Sequence, residues 1–195
     1  MIAAPGNSTP KHTAMNDEHA ALGASFTDFG GWDMPLKYGS ELAEHRAVRS
    51  SAGIFDLSHM GEVRLTGPGA GDALDYALVG KLSAIGVGRA KYSVILDEDG
   101  HLLDDLITYR LGEEEFLVVP NAGNAVMVAG ELARRAEAFE ATVVDETAQT
   151  SLIAVQGPAS EAILRDVVEA GDAGAVTPLK RAEQRRVGKE CRSRW

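Results

Sequence analysis

The sequence predicts an α+β protein: antiparallel sheets with helices packed on them. Three observations predict it. Short runs rich in Val, Ile, Thr and Tyr alternate with segments of helical period. Tight turns such as Asp97-Glu98-Asp99-Gly100 join neighbouring runs as hairpins, which forces antiparallel pairing. A strand, Gly-Pro, helix pattern occurs twice, as RLTGPGAGDAL at 64–74 and AVQGPASEAIL at 154–164. That echo points to two similar α+β units rather than one continuous sheet.

Residues 1–14, MIAAPGNSTPKHTA, read as a loose tail. Residues 15–22 suit a short helix and 24–29 a short strand. The stretch GGWDMPLKYGS, 30–40, reads as a Gly/Pro-rich loop carrying Trp32 and Tyr38. Ser40 then caps a helix over 41–51, with Glu41 and Glu44 in its first turn and Gly53 after its end. Residues 53–67 read as strand, kink at Gly61, strand, and Pro68 opens a helix to residue 78. Residues 91–96 and 101–111 form a hairpin, and 116–121 a third strand. The helix at 123–139 turns Ala125, Ala129, Leu132, Ala136 and Phe139 inward and Arg134, Arg135 and Glu137 to water. Strands at 141–145 and 151–156 follow, and Pro158 opens a helix with Ile163, Leu164, Val167 and Val168 on one face.

Charge and motifs exclude several functions. The 195 residues carry a net charge of −10, yet residues 180–195 hold seven Lys/Arg and two Glu, so the rest carries −15. An acidic body argues against nucleic acid as a partner. No apolar run approaches the ~20 residues of a membrane span, and no secretory signal opens the chain, which suits a cytoplasmic protein. The basic segment 180–195 reads either as a partner-binding arm or as an addition that begins after the natural sequence ends near Leu179. It holds the single cysteine, Cys191, which excludes an internal disulfide and a Cys-based zinc cage. The five histidines lack ligand spacing, so no metal is expected. His59 reads as a satisfied structural histidine, and Ser58 beside it on a strand would point the other way. GPGAG at 67–71 is followed by Asp72 where a dinucleotide fingerprint needs Gly.

One stretch keeps chemistry in view: GHLLDDLITYRL, 100–111. On a strand, Leu103, Asp105, Ile107, Tyr109 and Leu111 share one face, while Asp104 shares the other with Leu106, Thr108 and Arg110. Asp105 on so apolar a face either finds a partner or sits solvated near a strand end. If DEDG is a four-residue turn, Tyr92 lies directly opposite Asp105. The third strand then brings Asn121 opposite Asp105 or opposite Leu106, depending on the next turn. Either way Tyr92, Asp105, Tyr109 and Asn121 meet in one patch, which suits a flat heterocycle bearing N–H donors. The rival is a sheet whose polar residues simply meet solvent.

These segments also carry a resemblance. DFGGWDMPLKYGS (28–40), E-x-x-A-V-R (44–49), AGIFDLSHMGE (52–62), KYSVILDEDGHLLDDLITYRL (91–111), FLVVPNA (116–122) and LIAVQGP (152–158) together resemble the glycine cleavage T-protein, or aminomethyltransferase, family. That family belongs to a folate-binding superfamily with dimethylglycine and sarcosine dehydrogenase modules, and GGWDMP favours the T-protein branch. The resemblance implies a tetrahydrofolate-dependent transferase. It would take an aminomethyl group from the lipoyl arm of the H-protein, release ammonia and form 5,10-methylenetetrahydrofolate, with tetrahydrofolate as co-substrate. By the family pattern Asp105 corresponds to the aspartate that hydrogen-bonds the folate near its reacting nitrogens. Tyr92, Tyr109 and Asn121 match pterin-site positions, and Met60 matches an apolar wall. Asp104 is the second candidate, because a shift in register would exchange the two acids.

The resemblance also implies a parent about twice as long. Here it predicts an inserted α+β unit over 61–148, and an incomplete unit from 15–60 plus 149–179 of the folate-binding domain. A chain so divided is expected to bind folate weakly and to be poorly active. The rival functions are a folate-binding module without transferase activity, of the iron–sulfur assembly or dehydrogenase-associated type, and an inactive truncated fragment.

Overall fold

A computed structural model describes residues 9–169. Expectations for residues 1–8 and for the basic segment 180–195 lie outside the described residues. The chain runs α1 (Asn16–Ala21), β1 (Ser25–Phe29), β2 (Trp32–Lys37), α2 (Glu41–Ser50), β3 (Gly53–Asp56), β4 (Val63–Thr66), α3 (Ala70–Ala77), β5 (Arg89–Leu96), β6 (Leu102–Gly112), β7 (Glu115–Val119), α4 (Ala125–Ala136), β8 (Thr142–Asp145), β9 (Ile153–Gln156) and α5 (Ser160–Glu169). All strand pairs within the sheets are antiparallel, so the predicted α+β class is the observed one.

The centre is a five-stranded sheet in the order β5-β6-β7-β4-β8. Helices α3 and α4 cover one of its faces, and the core between them includes Val63, Leu65, Leu74, Leu82, Ile95, Leu106, Phe116, Val118, Val128 and Leu132. Strand alternation builds this core: Leu106 and Thr108 of β6 point into it, while Ile107 and Tyr109 point to the other face. Apolar burial on this scale is the main stabilising contribution.

The remaining strands form two small sheets, β1-β2 and β3-β9. They bury little. Met34 is the only buried hydrophobic residue in the described chain outside positions 63–136. Ile54 (66% exposed), Phe55, Ile153, Ile163 and Leu164 are open to solvent.

The repeated Gly-Pro junction has a structural cause. Gly67 ends β4 at φ +117° and Gly157 ends β9 at φ +128°, a region that L side chains avoid. Backbone also crowds both: a Cβ on Gly67 would lie 2.5 Å from Glu140 O, and one on Gly157 would lie 2.6 Å from Val48 O. Each glycine turns the chain from a strand into α3 or α5 against a neighbouring backbone.

Three expectations change. Residues 30–40 are not a loop: Gly30 and Gly31, both at positive φ, make the turn of the β1-β2 hairpin. Pro35 sits within β2, where a two-stranded sheet leaves its missing N–H harmless. The end of the supposed tail is pinned. Lys11 N donates to Gly31 O (2.8 Å), Asp33 N donates to Lys11 O (2.8 Å), and the Lys11 ammonium lies 5.4 Å from the Trp32 ring centre. Arg135 does not face water freely; its guanidinium donates to Ala77 O (2.9 Å) and Leu96 O (2.6 Å), tying α4 to α3 and β5.

Candidate functional site

The β5-β6 hairpin closes differently from a four-residue turn. Asp97 Oδ1 accepts from Asp99 N (3.0 Å) and His101 N (2.8 Å), and Asp97 N donates to His101 O (2.9 Å). His101 is thereby drawn into the turn, Leu96 pairs with Leu102, and a bulge follows between Ile95 and Leu96. The expected pairing of Tyr92 with Asp105 is not formed: Val94 lies opposite Asp105, and Tyr92 lies opposite Ile107. The shift is two residues, so the faces are preserved. Tyr92, Val94, Asp105, Ile107 and Tyr109 share the face away from α3 and α4, with Tyr92 diagonal to both Asp105 and Tyr109.

That face is open. Tyr92 is 60% exposed, Asp105 is exposed, and Ile107 and Tyr109 are half-buried. The opposite acid, Asp104, is 4% exposed. The phenol of Tyr109 is raised above its ordinary pKa by burial and, secondarily, by the Tyr92 phenol beside it.

The β6-β7 register pairs Ile107 with Val119 and Tyr109 with Leu117. Continued past the end of β7, it carries Asn121 alongside Asp105. The Asn121 amide is then held tightly. Its backbone N donates to Asp104 Oδ2 (2.9 Å), and its Nδ2 faces Asp104 Oδ1 (2.9 Å), Asp105 O (2.8 Å) and Asp105 Oδ1 (3.1 Å). Asn124 Nδ2 adds a further bond to Asp104 Oδ1 (2.8 Å). Asp104 thus anchors both asparagines beside the N-terminus of α4, where the helix dipole favours a carboxylate. Asp105 Oδ2 has no hydrogen-bond partner among the described residues and remains available to a donor.

Met60 approaches the same place. It lies in a turn (Met60 N to Leu57 O, 2.9 Å), and the next residue, Gly61, donates to Pro120 O (3.1 Å). A Cβ on Gly61 would fall 2.7 Å from Pro120 Cγ and 2.8 Å from Ala125 Cβ, so only glycine lets this turn close on the segment before Asn121. The fold therefore gathers Tyr92, Asp105, Tyr109 and Asn121 at one face, with the Met60 turn against their border. Asp104 is placed behind it.

Sequence reasoning missed two features. Asn124 sits at the N-cap of α4, yet its side chain makes no cap bond there; the only signal was a second Asn shortly after Asn121. The other is a polar cluster of buried His19 and Asp56 with the partly exposed Tyr38. His19 Nε2 meets Asp56 Oδ2 at 3.0 Å, and the Tyr38 hydroxyl meets His19 Nδ1 at 2.7 Å. Burial alone would raise the Asp56 carboxyl, but hydrogen bonds from surrounding groups, Ser58 and His19 among them, hold it at about 2. Ser58 and His59 lie in a turn rather than a strand. His59 is buried but not satisfied: its Nδ1 has no partner among the described residues, and burial lowers its pKa against the opposing pull of Asp56.

The nearest approach to a metal-ligand cluster among the described residues is Asp97, Asp99 and His101, within 4.8 Å of one another. Its geometry is that of the closing turn, with Asp97 already bonded to His101 Nδ1 (3.0 Å). Among the described residues no helix is long and apolar enough to cross a membrane.

Residues 15–189 match the family model described as the GCVT N-terminal domain. The chain is 60% identical over 159 residues to an aminomethyltransferase of Corynebacterium jeikeium, covering 82% of this chain and 41% of that protein. It is 56% identical over 164 residues to the aminomethyltransferase of Streptomyces avermitilis, covering 84% and 44%. Among solved structures, the glycine cleavage system aminomethyltransferase T from Bartonella henselae superposes with a TM-score of 0.74 at 40% identity, over 81% of this chain and 44% of that one. The chain spans less than half the length of these relatives.

Proposed function

The chain belongs to the GCVT N-terminal domain family, and from that premise we propose that it forms the pterin-binding part of a tetrahydrofolate-dependent aminomethyltransferase. The observation that carries this reading is the open face of Tyr92, Asp105 and Tyr109 with Asn121 at its border. A reduced pterin is flat and bears N–H donors. The phenol rings offer it apolar surface, and Asp105 Oδ2 offers an acceptor with no other partner among the described residues.

The reaction moves an aminomethyl carbon from the sulfur of a lipoyl arm to the folate nitrogens. The C–S bond breaks, ammonia leaves, and the carbon ends as the methylene bridge of 5,10-methylenetetrahydrofolate. Asp105 contributes by accepting a folate N–H, which orients the nitrogen and raises its electron density. Asn121 contributes by fixing the Asp105 carboxylate through Nδ2. Proximity then supplies much of the rate, and the electrostatic contribution of Asp105 grows as water is excluded. Met60 lines the apolar border. The lipoylated H-protein as donor and a cytoplasmic location belong to the same reading.

We place the inserted unit at 61–148 and the flanking unit at 15–60 plus 149–179. Supporting this, the five-stranded sheet uses only residues between Val63 and Asp145, while β3 pairs with β9 across that insertion.

The test is transfer from an aminomethylated lipoyl carrier to tetrahydrofolate, alongside folate binding. Asp105→Asn should lower folate-dependent turnover about 100-fold or more. Folate binding without any transfer in the full-length protein would favour the module reading instead.

A further inference from the structure

The side of the sheet edge away from β6 presents a second site. Lys81, Ile85, Gly86, Arg89, Ala90 and Lys91 line a shallow, open cleft of about 300 Å³. Three of these residues are cations in a chain whose net charge is −10. Among the described residues none of the three forms an ion pair, a state they share with Lys11, Arg46 and Arg49, but these three line one cleft.

Side-chain hydrogen bonds hold the wall of the cleft. The segment between α3 and β5 has no regular structure, yet side chains from the sheet and from α3 hold it. Asp75 accepts from Ser83 N (2.8 Å) and Ser83 Oγ (2.6 Å). The Arg110 guanidinium reaches from β6 to Ser83 O (3.2 Å) and Ile85 O (2.8 Å). Gly80, at φ +110°, leaves room for the Lys91 ammonium; a Cβ there would lie 3.2 Å from Lys91 Nζ. Lys91 Nζ in turn reaches Lys81 O at 3.4 Å, which draws the two lysines together.

The cations flank an open strand edge. β5 is the outermost strand of its sheet. Val79 N donates to Val94 O (2.9 Å) on the side away from β6. Backbone groups of alternate strand residues point the same way, so the N–H and C=O of Tyr92 and Ala90 also point outward. Neither residue has a backbone partner there among the described residues.

We propose that this edge docks an acidic, extended polypeptide segment of a partner protein. Its backbone would pair with Ala90 and Tyr92 as an added strand, and its carboxylates would meet Lys81, Arg89 and Lys91. Charge complementarity selects an acidic partner, and the free strand edge selects a polypeptide over a phosphate polymer. The Arg89 and Lys91 side chains lie on the opposite face of β5 from Tyr92, so this edge shares only the Tyr92 backbone with the face proposed for the pterin.

The experiment is fluorescence anisotropy of a labelled oligoglutamate peptide on the 195-residue chain at low ionic strength. The R89E/K91E pair should weaken binding at least tenfold. R89Q/K91Q serves as a second, milder variant, with circular dichroism confirming its fold. R46E/R49E, an equal charge change on α2, should change affinity less than twofold. Absence of peptide binding would overturn the proposal, as would equal losses in both charge-reversed variants. Tighter binding of a single-stranded oligonucleotide, or displacement of the peptide by inorganic phosphate at matched charge, would overturn the polypeptide assignment.

Discussion

Asp104 and Asp105 are adjacent in sequence and opposite in circumstance. Asp104 is buried and accepts from Asn121 N, Asn121 Nδ2 and Asn124 Nδ2. Replacing it with alanine leaves those donors unpaired, and each such loss costs about 1–3 kcal/mol. Asp104→Ala should therefore lower the urea-unfolding free energy by about 3 kcal/mol. Asp105→Ala, on the exposed face, should lower it by less than about 1 kcal/mol while weakening folate binding. The reverse ranking would show that the two acids have exchanged roles. Asp56 gives a prediction in pH. Its folded pKa, about 2, lies below the ordinary carboxylate value, so its stabilisation is fully present above about pH 4 and is lost as pH falls toward 2. The loss is about 2 kcal/mol, and Asp56→Asn should abolish that segment of the acid-unfolding curve.

At the scale of the element, the hairpins and helices follow from local pattern, and the departures have local causes. Alternation places Asp104 and Asp105 on opposite faces because a period of two survives any even shift of register. The register itself depends on the Asp97 side chain, which closes the turn on His101, and no pattern of hydrophobicity encodes that bond. β2 was masked by Gly30, Gly31 and Pro35, residues that signal loops but here serve a hairpin turn and a two-stranded sheet. Arg135 lies where helical period points to water, yet its length returns the guanidinium to two carbonyls. The Asn124 contact was equally hidden, since an Asn before a helix ordinarily caps it. The Gly-Pro junctions are the most demanding elements. Gly67→Ala and Gly157→Ala each combine a positive φ with a backbone clash, and each should cost more than about 1 kcal/mol in thermal or urea unfolding. A neutral effect at either would mean that the junction relaxes without consequence.

Across the whole molecule, burial is uneven. The five-stranded sheet has a filled core, whereas Ile54, Phe55, Ile153, Ile163 and Leu164 lie open. An open apolar surface of this kind marks a site for further contacts. The face proposed for the pterin is likewise uncovered, so water competes for Asp105 and the phenols gain little from burial. Titration calorimetry of the chain with tetrahydrofolate should therefore give a dissociation constant above the micromolar range; a submicromolar value would show that the open face suffices. The fold class was legible because strand alternation and turn chemistry are local. The degree of enclosure was not, because it depends on which surfaces meet.

The central claim is that one open sheet face recognises a reduced pterin through Asp105. Chemical-shift mapping on the isotopically labelled chain tests it directly and tolerates weak binding. Tetrahydrofolate should perturb the amides of Tyr92, Asp105, Ile107, Tyr109 and Asn121, and Asp105→Asn should suppress those changes at equal ligand. Perturbations confined to other surfaces, or unchanged by that substitution, would contradict the account.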